Sequence, residues 1–125
     1  MAVIYSDIET TLVSHLKTAL PDVYIATKKS APDKAQPEKQ IVITVSWAGD
    51  KEQVLKYAGV VLDVYADTDI GCTNLALLAE AHLRAATVGS IKKVVIIAGP
   101  IRQTEETAQE KRSISAEVTV QATSL

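Results

Sequence analysis

Apolar residues recur along this chain with two different periods. Ile8, Leu12, His15, Leu16, Ala19 and Leu20 are spaced as one face of a helix, where side chains three and four positions apart line up. Ser6 followed three residues later by Glu9 has the form of a capping box. Asp7 and Glu9 then fall where the positive end of the helix dipole favours acids, and Lys17 where its negative end favours bases. Pro21 stops the element. Val23 to Thr27 reads as a short strand. Lys28 to Lys39 is polar and carries Pro32 and Pro37, so it predicts a mobile loop at about 28–40 that does not pack.

The period then changes to two. Ile41, Ile43, Val45 and Trp47 alternate with Val42, Thr44 and Ser46, the pattern of a strand with one buried face. Ala48 to Gln53 makes a turn around Gly49-Asp50, and Val54 to Ala66 supplies an antiparallel partner. In that partner Val60, Leu62 and Val64 share one face and Val61, Asp63 and Tyr65 the other, while Gly59 predicts a bulge or a close backbone approach. Lys92 to Ile101 and Arg112 to Thr123 read as two further strands, joined by a charged, mobile loop at about 100–111. The last strand places Ile114, Ala116, Val118, Val120 and Ala122 inward and Ser113, Ser115, Glu117, Thr119 and Gln121 outward, so one face of the sheet is solvated.

Between the strand pairs lies a second helix, capped by Asp67 or Asp69, running to about Thr87 and closed by Gly89 as a left-handed C-terminal cap. The order α-β-β-β-α-β-β predicts a single α+β domain over 1–125, a two-layer domain in which two helices pack on one face of a mostly antiparallel sheet. The second helix is apolar over more of its circumference than one sheet requires. Thr73, Glu80, Arg84 and Thr87 form a narrow polar stripe, and nearly everything else is Ala or Leu. One explanation is that alanine is simply a good helix former. The other assigns one flank to the sheet and a second, with Leu75, Ala79, Leu83 and Ala86, to a neighbouring subunit.

Composition sharpens this point. The 125 residues are 47% hydrophobic but only 4% aromatic, with no Phe, so the core is aliphatic and either small or completed by another chain. The formal net charge is −2, which excludes a strong electrostatic grip on a phosphate backbone. One cysteine permits neither an internal disulfide nor a cysteine-based metal site. The first residues lack the pattern of a signal peptide, and no apolar run has the length of a membrane span. The expectation is a soluble, cytosolic protein without membrane contact.

A search for chemistry finds no phosphate-binding loop, no dinucleotide fingerprint, no nucleophile elbow and no paired-histidine zinc motif. His15 and His82 lie on the helices without a second ligand at metal spacing and read as partly buried histidines bonded to backbone or solvent. Cys72, near a helix start where a thiol can be activated, lacks a partner and reads as a small buried hydrophobe. Asp63, Asp67 and Asp69 read as a strand residue and two helix caps rather than a metal site. No catalytic residue, metal or cofactor is expected. Lys28, Lys29 and Lys34 in the first loop and Glu105, Glu106 and Glu110 in the second are candidate contacts that order when a partner docks; solvated excursions are the alternative.

The chain resembles the tail terminator (tail completion) proteins of long-tailed bacteriophages. The resemblance rests on Val60-Val61-Leu62-Asp63-Val64-Tyr65-Ala66 before an acidic turn, and on the Ala/Leu-rich helix through Leu83-Arg84-Ala85-Ala86. It continues in the strand end Ile96-Ile97-Ala98-Gly99-Pro100 and the alternating run from Ser113 to Val120, and it includes the opening helix placed before a proline-bearing loop. It implies a non-enzymatic virion protein, assembled in the host cytoplasm, whose copies form a ring, a hexamer. Such a ring caps the tail tube at its head-proximal end, ends its polymerisation, and joins the head connector or completion protein. DNA would meet it only in passage through the lumen, for which Glu117, Thr119 and Gln121 are candidate linings, with a plain outer surface as the competing assignment. A head completion or neck protein of the same junction, and a small α+β ligand-binding or enzyme domain, are the alternatives.

Overall fold

The computed structural model describes residues 2–31, 35–52, 54–103 and 109–124. The elements are β1 (Val3–Ile4), α1 (Ile8–Ala19), β2 (Tyr24–Ala26), β3 (Lys39–Glu52), β4 (Leu55–Ala66), α2 (Asp69–Arg84), β5 (Ile91–Gln103), β6 (Glu110–Gln121) and β7 (Thr123–Ser124). Five strands form one sheet in the order β2-β3-β4-β6-β5, and β1 pairs with β7 in a separate two-stranded ribbon. All pairings in the large sheet are antiparallel except β2 with β3. The α+β architecture and the order of its main elements agree with the sequence reading. The two-residue strands β1 and β7 are too short to carry a period and were not foreseen.

Both helices cover the same face of the sheet. Ile8, Leu12 and Leu16 of α1 and Cys72, Leu75, Ala76, Ala79 and Leu83 of α2 are buried. They share one apolar cluster with Ile41 and Ile43 of β3, Val60, Leu62 and Val64 of β4, and Ile114, Ala116, Val118 and Val120 of β6. Among the described residues this cluster of buried side chains holds no aromatic ring. The shortage of Phe is therefore met by tight aliphatic packing, with β-branched residues on the strands, where they fit the pleat, and Ala and Leu on the helices. His15 Nε2 bonds to the His82 carbonyl oxygen at 2.8 Å and ties the two helices together.

Local boundaries differ from the sequence reading for identifiable reasons. Helix α1 is capped by Asp7 rather than Ser6. Asp7 has extended backbone geometry, and its carboxylate accepts the Glu9 and Thr10 N–H groups, while the Ser6 hydroxyl bonds to the Ser90 hydroxyl. Helix α2 is capped by Thr68, whose Oγ1 accepts the Gly71 N–H at 3.0 Å, and not by Asp67 or Asp69. It ends at Arg84 with Ala85 as its C-cap, so Gly89, at φ +57°, turns the chain into β5 instead of closing the helix. Strand β3 extends through the expected turn to Glu52. The register shifts there lie between Trp47 and Asp50 and between Asp50 and Glu52, whereas Gly59 stays in register with Ser46 and Glu117 and forms no bulge. Strand β5 continues through the cis Gly99-Pro100 bond to Gln103. Gly99 must be glycine because its φ is +133° and a Cβ would lie 2.8 Å from the Ile114 Cα. The expected loops shorten accordingly: 39–40, 100–103 and 110–111 belong to strands.

Candidate functional site

The faces of α2 decide which of its residues are available to a partner. Side chains advance about 100° per residue around a helix, so Leu75, Ala79, Leu83 and Ala86 share a stripe, and that stripe lies on the sheet. All four are buried within the chain's own core. Their assignment to a subunit interface is therefore corrected: the flank chosen from sequence is the one the sheet consumes. Ile70, Leu77 and Leu78, 75%, 49% and 51% exposed, lie on the opposite side of α2 together with Asn74, Ala81 and Ala85, all exposed. The surplus apolar surface is real, but it faces outward through different residues.

The two long loops meet at one end of the sheet. The buried Gln40 side chain accepts the Ser30 N–H at 3.0 Å and donates to Gln36 Oε1 at 3.2 Å, and Gln36 Nε2 donates to the Ala31 carbonyl at 2.9 Å. From the second loop, Gln109 Nε2 donates to the Pro37 carbonyl at 2.7 Å and to Asp67 Oδ1 at 3.1 Å. The described part of the first loop is thus packed against the domain, contrary to the expectation that it does not pack. Lys29 places its ammonium 4.4 Å from the centre of the Tyr65 ring, with Lys111 Nζ at 5.5 Å from the same ring. This cation–π arrangement holds the half-buried Lys29 against the domain's own Tyr65 ring. Lys28 is exposed. Lys34, Glu105 and Glu106 lie outside the described residues. Glu110 begins β6 instead of lying in the loop, and its carboxylate is 3.7 Å from Arg112 Nη1.

Beside this loop junction is a charged cluster whose connectivity the sequence did not reveal. Arg112 stands in the inward register of β6, and its side chain is 5% exposed. It survives there because Nη2 pairs with Asp69 Oδ1 and reaches Thr73 Oγ1 at 3.5 Å, while Nη1 donates to the Lys111 carbonyl at 3.0 Å. Arg102 Nη2 joins the same Asp69 oxygen at 2.7 Å. Asp69 opens α2, where the positive end of the helix dipole favours a carboxylate. Cys72, one turn further on, is buried, and its thiol donates to the Val64 and Glu110 carbonyls at 3.4 and 3.5 Å. Burial pushes the thiol pKa above its ordinary value, with Arg112 opposing. A nucleophile needs the thiolate, so this cysteine is built as a packing group.

The remaining polar candidates are dispersed. Asp63 accepts the Ser113 hydroxyl at 2.7 Å, away from Asp67 and Asp69, whose own partners are Gln109 and the two arginines. No group of three or more His, Cys, Asp and Glu among the described residues is placed to hold a metal ion. On the face of β6 away from the helices, Glu117 and Gln121 are exposed, but Thr119 is 6% exposed, which removes it as a lumen-facing candidate. At the opposite end of the sheet, Tyr5 and Trp47 lie with ring centres 5.9 Å apart, and Lys56 Nζ sits 5.5 and 5.4 Å from them. They line an open hollow of about 460 Å³ with Asp7 and Glu9. The Tyr5 side of this cluster comes from the segment between β1 and α1, too short to show a pattern in sequence.

No protein-family model matches the chain, and no curated protein matches it. No helix among the described residues is long and apolar enough to cross a membrane.

Proposed function

We propose that this protein is a structural component of a long-tailed phage virion, a tail terminator. Copies of the chain form a ring, a hexamer, that caps the finished tail tube, ends its polymerisation and presents a surface to the head connector. The carrying observation is that Ile70, Leu77 and Leu78 are exposed on one side of α2, since large apolar side chains gathered on one exposed helix face suit a binding surface. The sequence resemblance supplies the identity of the assembly, and this face supplies a surface for it. Glu117 and Gln121, exposed on the solvated face, suit a lumen through which DNA slides without adhering.

The direct test mixes the purified chain with tail tubes assembled in its absence and, separately, with DNA-filled heads lacking tails. Binding to tubes, with tube growth arrested, is the expected result. Binding to heads alone would move the assignment to a head completion protein of the same junction. Binding to neither would overturn the virion reading.

A further inference from the structure

Two outer edges of the large sheet lack a ladder partner among the described residues. At one side, β5 pairs there only with β6. At the other, β2 covers only Gln40 to Val42 of β3, so among the described residues the stretch from Ile43 to Glu52 has β4 as its sole strand neighbour. A long edge rich in β-branched residues is a template for pairing with another chain.

We propose that these edges pair with each other between copies, β5 of one subunit against the uncovered part of β3 of the next. This interface rests on the ring reading above and gives it a physical joint. Three features select a second copy as the occupant. The first is polarity. Because β3, β4, β6 and β5 alternate in direction, repeating the sheet by rotation sets β5 antiparallel to the next β3. The second is extent. Across the ladder Ile91 is level with Asp50, Val95 with Ser46 and Ala98 with Thr44. Beyond Ala98 comes Pro100, which has no N–H to donate, and on β3 the opening likewise ends near Ile43, where β2 begins. The third is charge by position along the strands: Lys92 and Lys93 open β5 at the end where the net-acidic run Asp50-Lys51-Glu52 closes β3. Val95 and Ile97, exposed on the sheet face away from the helices, lie beside Thr44 and Ser46 of the neighbour. The contact is heterologous, the kind that closes into a ring when its rotation permits.

Single-cysteine variants of the full chain test this in a Cys72→Ala background. Thr44→Cys or Ser46→Cys is mixed with Val95→Cys or Ile97→Cys under mild oxidation, both free in solution and bound to tail tubes. A disulfide-linked dimer forming in at least one mixture, and in neither component alone, is expected. Absence of every mixed product, or a Val95→Cys product with itself as the main species, overturns the joint. The lysines give an independent reading. Lys92→Ala with Lys93→Ala weakens self-association at least tenfold if the start of β5 meets the end of β3, and Lys92→Glu with Lys93→Glu is rescued by Asp50→Lys with Glu52→Lys. Stronger association of the alanine variant would mean that these lysines merely blunt the edge, and would overturn the proposal. Mixed disulfides without tube binding would preserve the joint and sink the terminator reading; tube-capping rings without mixed disulfides would do the reverse.

Discussion

The side-chain amide of Gln109 donates to the carbonyl of Pro37 at 2.7 Å, joining two loops 72 residues apart in sequence. The same nitrogen donates to Asp67 Oδ1, which draws the start of α2 into the junction. Among the described residues Gln109 Oε1 is buried without a hydrogen-bond partner, so within them the side chain is held by its donors. Gln109→Ala is expected to cost about 1–3 kcal/mol, since one bond lost is to a neutral carbonyl and the other to a carboxylate. Gln109→Glu costs more, because a carboxylate cannot donate and would face both the Pro37 carbonyl and the Asp67 carboxylate. Denaturant unfolding measures both. Hydrogen exchange in the glutamate variant should accelerate at the amides of Ser30, Ala31 and Gln36, and unchanged protection there would show that the contact does not restrain the loop.

The outward and inward faces of α2 should separate cleanly under substitution. Leu83→Ala removes a fully buried side chain and is expected to cost about 2–5 kcal/mol. Leu77→Ser and Leu78→Ser, both on the exposed face, should stay within about 0.5 kcal/mol of the parent. On the proposed function they nevertheless reduce binding to tail tubes. Thermal denaturation alongside a binding assay checks the pair, and a large stability loss at Leu77 would contradict the assignment of faces.

Arg112→Ala should destabilise by about 3 kcal/mol, near the low end for breaking a buried ion pair because Asp69 is half-exposed. Arg112→Met retains much of the apolar volume and removes the charge, and should be milder. If both variants unfold at the parent's denaturant midpoint, the cluster contributes nothing to stability.

The Asp7 cap gives a pH dependence. Its carboxyl pKa lies below the ordinary value, chiefly through the Thr10 hydroxyl, with the Thr10 and Glu9 N–H groups also bonding to it and desolvation opposing. A carboxyl with a depressed folded-state pKa adds stability that is present above its unfolded pKa and lost as the pH falls through the folded one. Asp7→Ala should therefore lower the melting temperature at neutral pH, and the gap to the parent should narrow as the carboxylate range is crossed downward. A gap independent of pH would mean that the charged form plays no part in the cap.

Cys72, its thiol pKa raised by burial, should be inert to thiol reagents in the folded protein at mildly alkaline pH and react fully on unfolding. Rapid modification of the folded chain would contradict its placement.

Where the period was strict, the sequence was a good guide. The alternation from Ile114 to Val120 and the run Val60, Leu62, Val64 both identify buried faces correctly. Where the period was degenerate, it was not. With Ala and Leu around most of α2, the inward stripe of Leu75, Ala79 and Leu83 could not be told from the outward one of Ile70, Leu77 and Leu78. The caps were misplaced because Ser6, Asp7, Asp67, Thr68 and Asp69 are all competent types, and only backbone geometry chooses Asp7 and Thr68. Arg112 was hidden because its burial depends on Asp69, 43 residues away.

Electron microscopy of tail tubes assembled without this protein, before and after its addition, tests the central claim most directly. The account predicts a single closed ring of copies at one end of each tube and no further growth from that end. Tubes that stay bare and continue to lengthen with the protein in excess would contradict it.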